Sequence, residues 1–231
     1  MIRRAFVFAV IFVAAANTSL AQPKLPIGRF VADLQVTSSG LPTAEGWTPA
    51  VPQGTEVPSR GLGLQGGAQV FLSQFHWGTL GVGASWMIGR GSTSAPGPEK
   101  PVAGQPPPPP APAVIPDVAT RISSVTPQVS LNFGHSLGWS YLSAGYGLTS
   151  VTSTRTAVPA GAVAAAAPAA TLESGKMGAI NFGGGARWFI NDRIGVGFDL
   201  RWHRLPPVSA RGFSGRASLL TAAVGLSIKD Q

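Results

Sequence analysis

Residues 185–204 read GARWFINDRIGVGFDLRWHR, and this stretch decides the fold. In its second half the charged Asp199 and Arg201 alternate with the apolar Leu200 and Trp202. A period of two is typical of a β-strand whose two faces meet different environments. Those environments are water and a protein core in a soluble protein, or a polar lumen and lipid in a membrane barrel. The function class depends on which of these pairs applies.

Seven further segments alternate in the same way, which makes eight predicted strands. Each carries aliphatic or aromatic residues on one face, opposite a face that is mostly Gly, Ser, Thr, Gln or charged residues. The predicted strands span 30–36, 62–72, 79–89, 128–133, 142–148, 180–188, 193–204 and 222–228. The chain is therefore predicted to be all-β.

The predicted connections alternate between short and long. Short joints fall at 75–77, 135–138 and 191–193, and flexible loops at about 37–59, 92–117, 152–174 and 206–213. Two of these loops are rich in Pro or Ala: the loop 92–117 contains a run of prolines at 106–110, and the loop 152–174 contains the Ala- and Pro-rich segment 157–170. A transmembrane barrel with both termini in the periplasm requires this order, with short periplasmic turns and longer extracellular loops.

The short joints also have the parity that the strand faces require. Two strands with apolar residues at even positions need an odd number of residues between them, as at 75–77 and 191–193. A strand with odd apolar positions followed by an even one needs an even number, as in the four residues 135–138. The alternation therefore predicts the pairing register as well as the strands.

The register around 191–193 predicts a specific ion pair. It places Gly185 opposite Asp199 and Arg187 opposite Gly197. Arg187 and Asp199 are then diagonal neighbours on one face, and we expect their side chains to meet.

The aromatic residues favour a membrane barrel over its soluble alternative, a β-sandwich or lipocalin-like barrel with apolar residues inside. Amphipathic rings prefer the two membrane interfaces. We predict that five tryptophans form interfacial girdles: Trp77, Trp86, Trp139, Trp188 and Trp202. The polar faces hold many small residues and few Lys or Glu, which suits a narrow lumen better than a solvated exterior.

The first 21 residues have the features of a cleaved secretory signal peptide, with a retained anchor as the alternative. Arg3 and Arg4 precede an apolar run of about twelve residues, and small residues follow at the expected cleavage site before residue 22. Residues 22–231 contain no further apolar run long enough for a transmembrane helix. The absence of cysteine excludes disulfides, and the scattered positive charge, formally +8 in the full chain, does not predict nucleic-acid binding.

Two segments of the sequence carry a family resemblance: GGGARWF at 183–189 and RIGVGFDLRW at 193–202. Over about 23–230 the chain resembles small outer-membrane β-barrel proteins of the OmpA/OmpX type. The resemblance implies an eight-stranded antiparallel up-and-down transmembrane β-barrel in the outer membrane of a Gram-negative-type bacterium. It also implies outer-membrane lipid and the barrel assembly machinery as partners.

The polar positions of the strands predict a network in the lumen. Its expected members are Arg29, Asp33, Gln65, Gln69, Gln128, Arg187, Asp199 and Arg201. Eight strands leave an interior about wide enough for side chains alone. The sequence thus favours a non-enzymatic barrel with a structural or surface-interaction role, its loops free to meet a surface partner. The alternatives are a small pore or solute-binding barrel and, less favoured, a lipid-modifying enzyme.

Motifs for catalysis, cofactors or metals are weak. The run GLGLQG at 61–66 matches a dinucleotide-binding pattern but lacks the strand, turn and helix that this motif needs. The three histidines lack ligand spacing, and His135 and Ser136 have no carboxylate placed to orient the histidine as a base. We expect no catalytic residue, cofactor or metal site.

Overall fold

The computed structural model describes residues 27–43, 46–51, 55–94, 116–157 and 168–230. The signal peptide, the proline run at 106–110 and most of 157–170 lie outside these residues. The described residues form nine strands: β1 Phe30–Gly40, β2 Arg60–Phe75, β3 Gly78–Thr93, β4 Val118–His135, β5 Gly138–Arg155, β6 Ala170–Glu173, β7 Met177–Phe189, β8 Ile194–Leu205 and β9 Ala217–Lys229.

Eight of these strands close into an antiparallel up-and-down barrel. Each pairs with its neighbour along the chain, apart from the short β6, and β1 pairs with β9 to complete the ring. The strand β6, which the sequence did not predict, adds to the outer part of β5 within the expected loop 152–174. We call the end that holds the short turns and both described termini the inner end, and the opposite end the outer end.

The strands are longer than the alternation predicted, mainly toward the outer end. β4 begins at Val118 and β5 continues to Arg155, well beyond the predicted 128–133 and 142–148. The last loop accordingly covers 206–216, where Val208 and Phe213 form a bridge around the 3-10 turn Ser209–Arg211. Small and hydroxyl residues in these extensions weaken the sequence signal without preventing strand pairing.

One predicted joint is wrong in detail. Phe75 pairs with Gly78, so the turn contains two residues, His76 and Trp77, instead of the predicted three. A bulge at Leu72 shifts the register between Phe71 and Ser73. Because a bulge inserts one unpaired residue, it restores the parity that a two-residue turn would otherwise break.

The other two short joints keep the expected parity. Ser136 and Leu137 form a turn between the paired His135 and Gly138. At residues 190–193, the Asn191 side-chain oxygen accepts hydrogen bonds from the backbone N–H groups of Arg193 and Ile194 at 2.9 and 2.8 Å. An Asx turn of this kind holds the chain reversal by local hydrogen bonds.

The barrel has its apolar side chains outside and its polar side chains inside. Among the large apolar residues that point outward and are exposed are Leu34, Leu62, Val129, Leu142, Phe198, Leu200 and Val224. The opposite faces of the strands bury glutamines, serines, threonines and charged residues. This is the reverse of a soluble barrel, and it answers the question that residues 185–204 raised: the exterior composition suits lipid.

Two apolar clusters fill the ends of the lumen. The inner cluster contains Ile27, Val31, Phe71, Trp139 and Phe189. The outer cluster contains Leu41, Trp47, Met87, Ile122, Val151, Met177, Ala179, Leu205, Phe213, Ala217 and Leu219. Two aromatic rings of the outer cluster come from loops, with Trp47 edge-on to Phe213 at 4.9 Å and its indole N–H donating to the Gly215 carbonyl at 2.9 Å.

Trp139 corrects the predicted girdle. It is only 3% exposed and lies inside the lumen, stacked on Phe189 with ring centroids 4.8 Å apart. The outward face of β5 carries even-numbered residues, so an odd-numbered residue on this strand points inward. Trp77, Trp86 and Trp188 are exposed on the exterior, and Trp202 is half-buried against Phe182.

Among the described residues, no helix has the length and apolar character needed to cross a bilayer.

The substitution Leu200→Arg tests the outward face. Leu200 lies near the middle of β8 and is 46% exposed, so an arginine there is expected to lower the free energy of unfolding by about 2–4 kcal/mol in lipid vesicles. Ile194 is equally exposed but lies at the inner end of the same strand, so Ile194→Arg is expected to cost about 0–1 kcal/mol. Urea unfolding of vesicle-reconstituted protein measures both, and equal losses would contradict the assignment of a lipid-facing belt.

Candidate functional site

The candidate site is the polar middle layer of the lumen, between the inner and outer apolar clusters. Strand alternation brings Asp33 of β1, Arg187 of β7, and Asp199 and Arg201 of β8 into this layer. Arg187, Asp199 and Arg201 are buried, and Asp33 is nearly so. Two acidic and two basic groups therefore balance in an interior closed off from bulk water.

The first ion pair joins Arg187 to Asp33. The Arg187 Nε and Nη2 atoms donate to the two Asp33 carboxylate oxygens at 2.9 and 2.6 Å, which is a bidentate arrangement. Ser227 of β9 donates to the same carboxylate at 2.6 Å. This pair links three strands, with β7 reaching across the lumen to the β1–β9 junction.

Tyr141 of β5 connects the two ion pairs. The Arg187 guanidinium carbon lies 4.1 Å from the centroid of the Tyr141 ring, a cation–π distance. The Tyr141 hydroxyl donates to Asp199 Oδ2 at 2.7 Å. The tyrosine thus contacts the cation of one pair through its ring and the anion of the other through its hydroxyl.

The second ion pair joins Arg201 to Asp199 on the same strand. Arg201 Nε and Nη2 donate to the Asp199 oxygens at 3.1 and 2.9 Å. Gln65 of β2 also donates to Asp199, at 3.4 Å, and to Gln35 at 3.3 Å. Asp199 consequently receives hydrogen bonds from three strands.

Arg201 makes further hydrogen bonds that saturate its guanidinium. Its Nη1 donates to Gln128 Oε1 at 2.9 Å and to Asn181 Oδ1 at 3.0 Å, and its Nη2 donates to Ser143 Oγ at 3.0 Å. The partners lie on β4, β7 and β5. Arg201 therefore ties one side of the barrel wall together through the lumen.

A separate, uncharged chain of hydrogen bonds lies along the wall formed by β2, β3 and β4. Ser130 donates to Gln69 Oε1 at 3.0 Å, and Asn132 Nδ2 donates to Ser130 Oγ at 3.0 Å and to the Thr79 carbonyl at 3.2 Å. These contacts satisfy Gln69 Oε1, the Ser130 hydroxyl and the Asn132 amide N–H groups, which would be costly to bury unpaired, whereas Asn132 Oδ1 has no partner among the described residues.

Seven of the eight predicted lumen residues lie in this layer: Asp33, Gln65, Gln69, Gln128, Arg187, Asp199 and Arg201. Arg29 does not. It is exposed at the inner end, where its backbone N–H donates to the Asp230 carboxylate at 2.6 Å. Arg29 immediately precedes β1, so the inward alternation of that strand does not extend to its side chain.

The expected Arg187–Asp199 ion pair is wrong, although its register is right. Gly185 pairs with Asp199 and Arg187 with Gly197, as the joint parity predicted. The two charged side chains nevertheless turn to other partners, Arg187 to Asp33 and Asp199 to Arg201. A closed barrel offers partners across the lumen that the pairing of two adjacent strands does not reveal.

Sequence reasoning missed several members of the network: Tyr141, Ser143, Asn181, Ser227 and Gln35. All of them occupy inward positions, and their alternation with outward apolar residues was visible in the sequence. The sequence does not show which inward residues of different strands lie at the same height along the barrel axis. That height determines which side chains contact each other across the lumen.

The site offers little room for a ligand. A cavity of about 10 Å³ remains among the central polar side chains, which is space for about one water molecule. His203 lies further toward the outer end and is buried, and neither of its ring nitrogens has a hydrogen-bond partner among the described residues. Those residues also contain no cluster of three or more His, Cys, Asp or Glu side chains that could hold a metal ion.

The two sequence motifs that resemble a nucleotide-binding site and a catalytic site lie in surroundings that do not support either function. Residues 61–66 lie wholly inside β2, so no turn before a helix is available to hold a phosphate. His135 and Ser136 lie exposed at an inner turn, where the Ser136 backbone carbonyl accepts a hydrogen bond from Lys229 Nζ at 2.6 Å.

Comparison with solved structures places the fold. The chain is similar to neisserial surface protein A at 10% sequence identity and a TM-score of 0.51, over 87% of this chain and 96% of that chain. Weaker similarity exists to the attachment invasion locus protein Ail of Yersinia pestis (11% identity, TM-score 0.46, 87% and 98% covered) and to the outer membrane protease OmpT of Escherichia coli (9%, 0.40, 91% and 99%). No protein-family model matches the sequence, and no curated relative does. The chain has the fold of a small outer-membrane β-barrel of the OmpA/OmpX type.

Proposed function

We propose that this chain is a non-enzymatic barrel of the bacterial outer membrane, with a closed lumen and a structural or surface-interaction role. The observation that carries the proposal is the filled interior. Ion pairs and hydrogen bonds occupy the middle layer, and an apolar cluster occupies each end. The apolar exterior supports residence in a membrane, because an apolar surface of this extent would favour aggregation if it were exposed to water.

The outer loops are the surface best suited to a partner. Trp47 and Phe213 bring the β1–β2 and β8–β9 loops together over the outer cluster. Arg155 donates to the Ala50 carbonyl and, at 2.7 Å, to the Pro168 carbonyl, which joins the β1–β2 and β5–β7 connections. These contacts make part of the outer surface a fixed platform, which supports a role in display and contact.

Conductance in planar bilayers separates this proposal from the pore alternative. We expect purified protein to show no steady large conductance, because each end of the lumen is sealed by apolar side chains. A sixteen-stranded porin, whose wider barrel leaves an aqueous channel, serves as the positive control in the same bilayers. Steady channels of uniform size from the folded protein would contradict the closed lumen and favour a small pore.

A further inference from the structure

Two arginines stand side by side on the exterior, close to the outer end of the barrel. Arg90 of β3 pairs directly with Arg121 of β4, and both point outward and are exposed. Leu62 of β2 and Thr152 of β5 flank them in the same row. The row thus presents two adjacent positive charges between one apolar and one hydroxyl side chain.

This arrangement is unfavourable without an anion. Like charges directly opposite on neighbouring strands destabilise a sheet. Neither arginine forms an ion pair within the described residues, where the two ion pairs found both lie in the lumen. One acidic residue lies in the same row: Glu173 of β6 pairs with Thr152 and is two strands away from Arg121. A single carboxylate offsets only one of the two charges, and basic residues outnumber acidic ones at the outer end. The described charged residues there are Arg60, Arg90, Arg121, Arg155, Lys176, Arg204, Arg211 and Arg216, against Glu56, Asp117 and Glu173.

The depth of the pair matches a membrane interface. Arg90 lies ten residues along β3 from the outward-facing Leu80, and Arg121 lies ten residues along β4 from Leu131. Ten residues in a strand tilted by about 40° rise roughly 25 Å along the barrel axis, which is the height of the apolar band of an outer-membrane barrel. The guanidinium groups therefore lie where lipid headgroups begin.

The surface around the pair forms an open groove with two kinds of lining. The groove has a volume of about 450 Å³. Leu64 and Ile88 line the groove on the side toward the apolar, lipid-facing middle of the barrel. Thr152 and Thr154 line it beside the arginines. An amphiphile with an anionic head and an apolar tail matches this division.

We propose that Arg90 and Arg121 bind the phosphate group of an outer-leaflet lipid, whose acyl chain lies against Leu64 and Ile88. Guanidinium groups suit phosphate because their planar donors match two phosphate oxygens at once. The charge complementarity and the adjacent aliphatic side chains select a lipid phosphate over a neutral headgroup. This inference rests on the membrane residence proposed above.

Native mass spectrometry of the detergent-solubilised full chain tests the site directly. The probes are phosphatidic acid, which carries a phosphate monoester, and phosphatidylcholine of the same acyl chains. We expect the first bound molecule of phosphatidic acid to bind at least about fivefold more tightly than the first molecule of phosphatidylcholine. The double variant Arg90→Gln/Arg121→Gln is expected to remove that preference. Equal binding of the two lipids, or an unchanged preference in the variant, would overturn the proposal.

A matched variant separates the paired site from general positive charge. Arg204→Gln/Arg216→Gln removes the same charge from exposed residues at the same end, but on β8 and next to β9, on the other side of the ring from β3 and β4. This variant is expected to keep the preference, and its loss to the same extent would show that net charge alone is responsible. Millimolar inorganic phosphate should leave lipid binding intact, whereas full displacement would indicate a site for free anions and contradict the lipid assignment.

Stability in vesicles supplies a second readout with a change of sign. In phosphatidylcholine, Arg121→Gln relieves repulsion and is expected to raise the unfolding midpoint in urea, with an unfolding equilibrium constant about two- to fivefold smaller. With phosphatidic acid added, the same variant is expected to be less stable than the parent. The same sign in both vesicles would count against the proposal. Failure of the parent to fold into either vesicle would instead refute membrane residence.

Discussion

Asp33→Ala is expected to lower the free energy of unfolding by about 3–5 kcal/mol, the cost of leaving a buried charge unpaired. The variant removes the bidentate partner of Arg187, whose side chain is only 1% exposed and whose Nη1 already lacks a partner among the described residues. It also strands the Ser227 hydroxyl, which donates to the same carboxylate. Urea unfolding in lipid vesicles measures the loss, and Asp192→Ala at the exposed inner turn is the matched control, with a change within about 0.5 kcal/mol.

A double-mutant cycle identifies which acid Arg187 uses. The combined Asp33→Ala/Arg187→Ala variant is expected to lose less stability than the two single losses added together, because the pair disappears with both its charges. The corresponding cycle between Arg187 and Asp199 is expected to show a smaller coupling, since these side chains share no hydrogen bond and communicate through Tyr141. Additive losses for Asp33 and Arg187 would show that the two side chains do not meet.

Arg201→Met is the second substitution with a large expected effect, also about 3–5 kcal/mol of unfolding free energy. Methionine keeps much of the side-chain volume but leaves Asp199 without its cation and removes the donor to Gln128, Asn181 and Ser143. Arg201→Lys preserves the charge without the planar fork, so we expect an intermediate loss.

Arg204→Met is the control for that substitution. It is three residues along the same strand, but its side chain points outward and is exposed. A change within about 0.5 kcal/mol is expected there, measured by the same vesicle unfolding. A comparable loss from both methionine variants would mean that the hydrogen bonds drawn inside the lumen do not hold the barrel together.

The strands and their faces could be predicted because alternation is a local property. Each residue in a strand reports its side of the sheet through its immediate neighbours, and the pairing of Gly185 with Asp199 followed from one short joint. Trp139 shows the cost of neglecting that rule. Its chemical type suggested an interface, yet its odd position on β5 already specified the lumen.

Contacts across the lumen could not be predicted in the same way. Asp33 and Arg187 are 154 residues apart in sequence and lie on strands that do not pair. Their meeting depends on the height that each reaches in the closed ring, which is set by the shear of the barrel as a whole. Trp47 and Phe213 lie in loops, where no periodicity indicates that their rings cover the outer end.

The placement of Asp33 has a consequence for assembly. Its carboxylate is held by Arg187 of β7 and Ser227 of β9, while its own strand β1 forms the seam with β9. A chain with seven strands in place would carry Arg187 into the membrane without its counter-charge, at a cost of several kcal/mol. The charges of the middle layer balance at the moment when the first and last strands meet. We therefore expect insertion to be concerted, with sheet closure and charge neutralisation occurring as one cooperative step.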